Sequence, residues 1–447
     1  MTAEIAILNR AAIALAADSA VTLAADLKVY KTANKIFPLS LDPPIVIMFY
    51  GAGSLGSIPW ETVVQEYKRT HSSPGFATVE ESGADFIGFL PDMTEHISSR
   101  IQLEFVRTEI IWELEQLSRF AQANLASHVR TQPSTPSENL DYFLAQVREG
   151  VRARLNFLAE LGPMDGLTDR VATRQFESAL RNWELLGTRV DDWNGLLDLW
   201  FSQLPELMMH GVGYLTADIR QNLRAMAILS LRTADWSPDS TGVVVAGFGS
   251  EELFPSLTHW IVDQVMESVV KSRQLDCVRI DDDQPSAILP FAQQYEVART
   301  LIDGIHPEFL DAHHDIVLRL LCLLSDTISE KIMNTVPGPM STELVHFIST
   351  LPAEMLRTIP DALEMMIGHY SLPLLEVIGG LPKEHLGEMA ETLVSLASFK
   401  EKFTPGADVV GGPIDVAVIS RSDGLVWAKH KQYFEHEFGS TQTRWKQ

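Results

Sequence analysis

The 447-residue sequence predicts an α+β fold, and three observations carry that reading. Apolar, strand-like runs cluster at both ends of the chain and again near residue 245. Two long stretches of helical periodicity, about 84–232 and 294–402, separate them. No internal repeat recurs at a fixed period, which sets a solenoid aside.

The elements follow in order. Ile5 and Ile7 alternate with polar or small neighbours, and Asn9-Arg10 turn the chain. Ala12 to Ala17 reads as a second, fully buried strand with Asp18 at its end. Val29 to Phe37 is another strand-like stretch. Pro44 to Tyr50 is an apolar strand running into Gly51-Ala52-Gly53. In the first helical stretch Phe86, Phe89, Met93, Ile97 and Ile101 fall on one face. Thr131 to Glu138 is a polar, proline-containing break. Helical patterning resumes from Asn139 to about Leu161 and again from Asp169 to Leu186. Trp183, Trp193 and Trp200 read as core or interface. Val243 to Gly249 is a strand with a Gly-x-Gly turn. Val297, Leu301, Ile305 and then Ile316, Leu320 and Leu323 mark the second helical stretch. Gly411-Gly412 feed a buried strand over Ile414 to Ile419, and Asp423-Gly424 reverse it into Leu425 to Ala428.

Composition excludes several classes. Fifty-nine acidic against 35 basic residues give a net charge of −24. That balance argues against nucleic acid and against an anionic membrane surface. Cys277 and Cys322 make neither a disulfide framework nor a metal pair, and their apolar neighbours point to core positions. The N-terminus lacks a signal-peptide pattern, no apolar run is long enough to span a membrane, and the chain reads as cytoplasmic. His313-His314-Asp315 sits in a helical segment, where adjacent side chains point roughly 100° apart, so the two imidazoles share no face. The Gly-x-Gly turns at 51–53 and 247–249 lack a phosphate-loop lysine. His436, between two glutamates, reads as a surface residue. No cofactor or metal is expected.

The chemistry concentrates at the start. If Met1 is removed, Thr2 carries a hydroxyl and a free α-amine on one residue, a nucleophile with its own base. An α-amine titrates at roughly 7.7–8.0, so part of it is neutral near pH 7. Thr2, the Ala-Ala-Asp-Ser run at 16–19, Asn-Lys-Ile-Phe at 34–37 and the strand-to-glycine turn at 50–53 together resemble the N-terminal-nucleophile hydrolases, in particular proteasome β-type subunits and their bacterial relatives. The resemblance covers about the first 75 residues, roughly 240–300 and roughly 405–435. It implies a four-layer αββα sandwich with large helical insertions. It also implies that Asp18 and Lys35 serve Thr2, that the Gly51 N–H holds the oxyanion, and that Asp408 stands for the catalytic-site aspartate the family places before its last glycine pair. A charged Lys35 would help keep that amine neutral, and Asp18 would hold Lys35 in place. The sequence departs from the family at Phe248 and Val410, where serines normally stand, and Asp408 is about one position out of register.

The implied organisation is core at 1–75, 236–300 and 405–447, with helical insertions at 76–235 and 301–404. The implied function is hydrolysis of a peptide or other amide bond by Thr2; the alternative is a non-catalytic relative acting as an assembly or binding subunit. The tryptophan and leucine load of 84–232 adds the expectation of a homo-oligomer, with the helical insertions at its contacts and shielding the approach to Thr2.

Overall fold

The computed structural model describes residues 3–23, 28–30, 33–71, 75–131, 134–205, 212–237, 239–292, 300, 302–335, 339–356, 359–402 and 411–431. The fold is α+β, and its sheets are antiparallel.

The chain opens with the hairpin β1 (Glu4–Asn9) and β2 (Ala12–Asp18). Asn9 shapes its turn, the side-chain oxygen accepting from the Ala11 and Ala12 amides while Nδ2 donates to the carbonyls of Ile378 and Leu381. The short strands β3 (Val21–Leu23) and β4 (Lys28–Tyr30) pair with each other. The segment Val29 to Phe37 is therefore not one strand: β4 ends at Tyr30, and β5 (Ile36–Leu41) starts just beyond Lys35. Next come β6 (Pro44–Gly51), the small pair β7 (Ser54–Leu55) and β8 (Ile58–Pro59), and the helices α1 (Trp60–Thr70) and α2 (Val79–Met93).

The first helical stretch continues with α3 (Ser99–Thr131), α4 (Pro136–Leu161) and α5 (Asp169–Leu180). α4 starts earlier than its periodicity suggests because Thr135 and Glu138 form a reciprocal capping box ahead of it. The predicted helix to Leu186 stops at Leu180, where a hairpin takes over: β9 (Trp183–Leu185) and β10 (Thr188–Val190). Its two-residue loop, Leu186-Gly187, has φ of 52° and 72°, the left-handed pairing that matches strand twist. Then follow α6 (Trp193–Ser202), α7 (Ala217–Arg232), β11 (Thr241–Gly247), β12 (Ser256–Met266), β13 (Val269–Arg279) and β14 (Ser286–Phe291). The second helical stretch holds α8 (Pro307–Thr335), α9 (Pro339–Leu356), α10 (Ile359–Gly379) and α11 (Lys383–Lys402). β15 (Ile414–Ser420) and β16 (Gly424–Lys429) close the described chain.

One five-stranded sheet has the order β14-β1-β2-β15-β16 and the other β13-β12-β11-β6-β5. Every side chain of β1 and β2 is buried, which is why β2 reads as continuously apolar. Ile13 and Leu15 of β2 meet Val46, Met48 and Val244 of the other sheet. The alternate residues Ala12, Ala14 and Ala16 pack against Leu386, Ala390 and Val394 of α11, and their small size lets that helix lie close. The far face of the second sheet, with Ile45, Ile47 and Val243, is covered by Val63 and Val64 of α1 and by Phe86 and Leu90 of α2. So α2, α10 and α11, which sequence periodicity groups with the helical stretches, pack on the sheets. The remaining first-stretch helices form their own buried cluster, which takes in Trp183 and Trp193.

Gly242 pairs with Tyr50, and a Cβ at Gly242 would stand 1.9 Å from the Tyr50 ring. Gly242→Ala is expected to lower stability by about 1–3 kcal/mol or more through overpacking. In a Tyr50→Leu background most of that loss should vanish, which urea denaturation of the double-mutant cycle reads directly.

Candidate functional site

Asp18 ends β2 and is buried. Its Oδ1 accepts from the Lys35 ammonium at 2.5 Å and from the Ala3 amide at 3.2 Å, and its Oδ2 accepts from the Gly411 amide at 2.9 Å. The Asp18 amide in turn donates to the Ala3 carbonyl at 3.0 Å. A single carboxylate thus binds the first described residue, the lysine before β5 and the glycine pair before β15. Lys35 is held on both sides of its chain. Its carbonyl accepts from the Phe49 amide at 2.9 Å, continuing the β5–β6 ladder, and its ammonium also donates to Glu4 at 2.9 Å.

The structure brings Asp18 and Lys35 into contact; sequence reasoning missed Glu4, which is 3 % exposed and pairs with the same ammonium. It also missed Lys431. That ammonium donates to Ser19 Oγ at 2.7 Å, to the Ala33 carbonyl and to Asp415 at 2.8 Å. Burial pushes Lys431 down despite its bonds to Asp415. Burial also acts to raise Asp415, but hydrogen bonds from His430 and Lys431 outweigh it and hold the carboxyl below its usual range. The signal available for Glu4 and Asp415 was a charge inside a strand whose neighbours are apolar on both faces.

Gly51 and Lys35 line one cavity of about 430 Å³, together with Asn34, Tyr50, Ala52 and Trp60. Gly51 has φ of 85°, and a Cβ there would stand 2.3 Å from the Ser240 carbonyl oxygen, so only glycine fits. Trp60 stiffens the wall, its Nε1 donating to the Ala52 carbonyl at 3.0 Å and its ring stacking on Phe49 at 4.6 Å. Behind the cavity Tyr50 Oη lies 2.6 Å from His259 Nε2. Burial pushes His259 down to about 4, against a smaller upward pull from Asp276. Burial, and next the charge of Glu4, push the Tyr50 phenol up. The neutral phenol and the neutral imidazole thus share this hydrogen bond.

Thr2, Asp408, Val410 and His436 lie outside the described residues. Phe248 is buried between the two sheets, with an apolar ring where the resemblance calls for a serine. Cys322 is exposed on α8 rather than in the core, and Cys277 is half-buried on β13.

A separate group of carboxylates, Glu109, Glu113 and Asp235, brings its oxygens within 4.8 Å of one another. Arg154 joins two of them, bonding Glu113 at 2.7 Å and also Asp235. Burial raises Glu109 to about 8. A bound cation would have to compete with the guanidinium already there.

No protein-family model matches the chain, and comparison with curated proteins finds no similar sequence.

Lys35→Met leaves two buried carboxylates without their cation. Asp18 is 1 % exposed, so water cannot take the place of the lost cation. The expected cost is about 3–5 kcal/mol at neutral pH, the usual size of the loss when one partner of a buried ion pair is removed. Urea midpoints of variant and wild type between pH 8 and 5 measure it. His259 gives a second pH signature. The unfolded chain takes up the His259 proton near 6.5 and the folded chain only near 4, so stability drops as pH falls through that window. His259→Gln should flatten the drop in the same denaturation series.

Proposed function

We propose that the chain hydrolyses an amide bond with Thr2 as nucleophile after Met1 is removed. One observation carries the reading: the buried Asp18–Lys35 pair binds Ala3, the residue next to Thr2, and Lys35 faces the same cavity as Gly51. A threonine adjoining that pair has a cation at hand to keep its amine neutral, and the amine can take the hydroxyl proton. The hydroxyl oxygen would attack the carbonyl carbon, and the proton would pass through the amine to the leaving nitrogen. The Gly51 N–H would hold the oxyanion, and water would release the acyl group from Thr2. Asp18 would act on Lys35 rather than on the substrate.

The two covered sheets support reading the core as a four-layer αββα sandwich of the N-terminal-nucleophile type. They do so through side chains: Leu15 and Val46 lie between the sheets, Ala14 lies under α11, and Val243 lies under α2.

Two measurements on the protein purified from its native host test the function. Intact-mass analysis should show Met1 absent, and a peptide β-lactone should label Thr2 covalently. Thr2→Ala should lose the label and keep the wild-type unfolding transition. Fully retained Met1 favours the assembly or binding subunit instead, and labelling that survives Thr2→Ala defeats the terminal-nucleophile mechanism.

A further inference from the structure

Lys431 lies just beyond β16 and is buried, yet the reaction as written does not use it. Its ammonium donates to the Ser19 hydroxyl at 2.7 Å, to Asp415 at 2.8 Å and to the Ala33 carbonyl. Those are three acceptors, as many as an ammonium has N–H donors. Two of them lead straight to the Asp18–Lys35 pair: Ser19 follows Asp18, and Ala33 stands two residues before Lys35.

The surrounding bonds tie the same segments together. The Ser19 carbonyl accepts from the Ala33 amide at 3.1 Å. The Ser19 hydroxyl donates to the Pro413 carbonyl at 2.7 Å, just ahead of β15. Asp415 of β15 meets the Lys431 ammonium, the Lys431 amide at 2.9 Å and His430 Nδ1 at 3.1 Å. Ala33, Asn34 and Lys35 form one wall of the 430 Å³ cavity. Lys35 is fixed in that wall by its own carbonyl and ammonium, and Ala33 by Ser19 and Lys431. Lys431 reaches the wall through the Ala33 carbonyl and does not itself line the cavity.

A buried ion pair is weak evidence for stability, because apolar side chains of similar volume often serve as well. What Lys431 supplies beyond an apolar side chain is directed bonds to the wall and to Ser19. The charged groups around the two buried ammonium groups are Glu4 of β1, Asp18 of β2, Asp415 of β15 and His430 after β16. Burial is the main cause that pushes Lys431 down; its bonds to Asp415 oppose this, and the nearby Lys35 charge adds to it. The two ammonium groups therefore sit within electrostatic reach of each other.

We propose that Lys431 is a positioning residue for the Thr2 site: by holding the Ala33 carbonyl and the Ser19 hydroxyl, it fixes the segment that sets the Lys35 ammonium beside the terminal amine. This rests on the reading of Thr2 as nucleophile. Lys431 acts through Lys35 and touches no substrate. A Lys35 free to move away no longer disfavours charge on the amine, so the amine should then bind its proton more tightly.

The test reads the amine directly. Protein that has lost Met1 is treated with limiting acetic anhydride across neutral pH, and the acetylated N-terminal peptide is quantified by mass spectrometry. The pH midpoint is the amine's pKa and needs no turnover. Lys431→Met should raise it by about one unit, which leaves roughly tenfold less neutral amine below the midpoint and slows β-lactone labelling of Thr2 to match. Lys431→Met leaves Asp415 without its cation, so a second variant, Lys431→Met with Asp415→Leu, removes both charges together. It should show the same rise, and it decides the matter alone if the single variant does not fold. A merely structural Lys431 would lower the urea midpoint and leave the amine's titration where it was. Wild-type labelling with an unshifted amine in the variants overturns this inference and leaves the hydrolase reading standing. A shift in the single variant that vanishes in the double variant also overturns it, since the unpaired Asp415 charge would then be the cause. A wild type never labelled at Thr2 defeats the hydrolase reading and this inference with it.

Discussion

The rest of the site depends on one interaction: the Lys35 ammonium buried between the carboxylates of Asp18 and Glu4. An ammonium taken out of water is tolerated only where partners compensate it closely. Those partners come from the start of β1 and the end of β2, while Lys35 itself precedes β5. Asp18 also binds Gly411, so the approach to β15 is fixed by the same carboxylate. The ion pair therefore does more than stabilise. It forces four stretches of chain to meet at one point, and that point lies one residue from Thr2.

The two sheets provide the rigid frame. β1 and β2 are buried on both faces, so neither can slip by one residue without moving its whole set of side chains to the wrong side. The alanines of β2 face α11 and its larger residues face the second sheet, which locks the strand in one orientation. On the second sheet Gly242 leaves room for the Tyr50 ring, and Tyr50 borders the cavity while bonding to His259. Backbone register, core volume and cavity shape are thereby coupled across β6, β11 and β12.

Much of this was legible in the residues. Strand runs at 12–17, 44–50 and 414–419 were plain because apolar side chains on both faces leave no ambiguity of period. Asp18, Lys35 and Gly51 stood out as chemistry-bearing types at strand ends, and the structure brings Asp18 and Lys35 into contact and Lys35 and Gly51 to one cavity. Glu4 and Lys431 did not stand out, because pairing between β1, β5 and the segment after β16 is set by distant contacts that no local pattern records. The helix end at Leu180 was missed for a local reason. Trp183 and Leu185 continue the apolar rhythm, and only the left-handed pair Leu186-Gly187 reveals the hairpin. The apolar stripe of α8 was visible as periodicity, but periodicity alone does not say whether a stripe is covered: Ile316, Leu320 and Leu323 are exposed in this chain.

The departures from the family pattern take a physical form here. Phe248 fills space between the sheets with a ring, so a hydroxyl at that position is not what orders the site. Polar order around Asp18 and Lys35 comes instead from Glu4, from the Gly411 amide, and from Lys431 bonded to Ser19 and the Ala33 carbonyl. Two lysines and three carboxylates thus sit in one buried region, nearly balanced in charge. On the proposed reading the terminal amine would stand beside the Lys35 ammonium, with Asp18 and Glu4 already paired to that lysine, and the like charge next to it favours the neutral amine. Neutrality is also the state in which an amine can accept a proton. On the proposed reading, the electrostatic arrangement that holds the fold together at Lys35 is the same one that equips Thr2 to act as its own base.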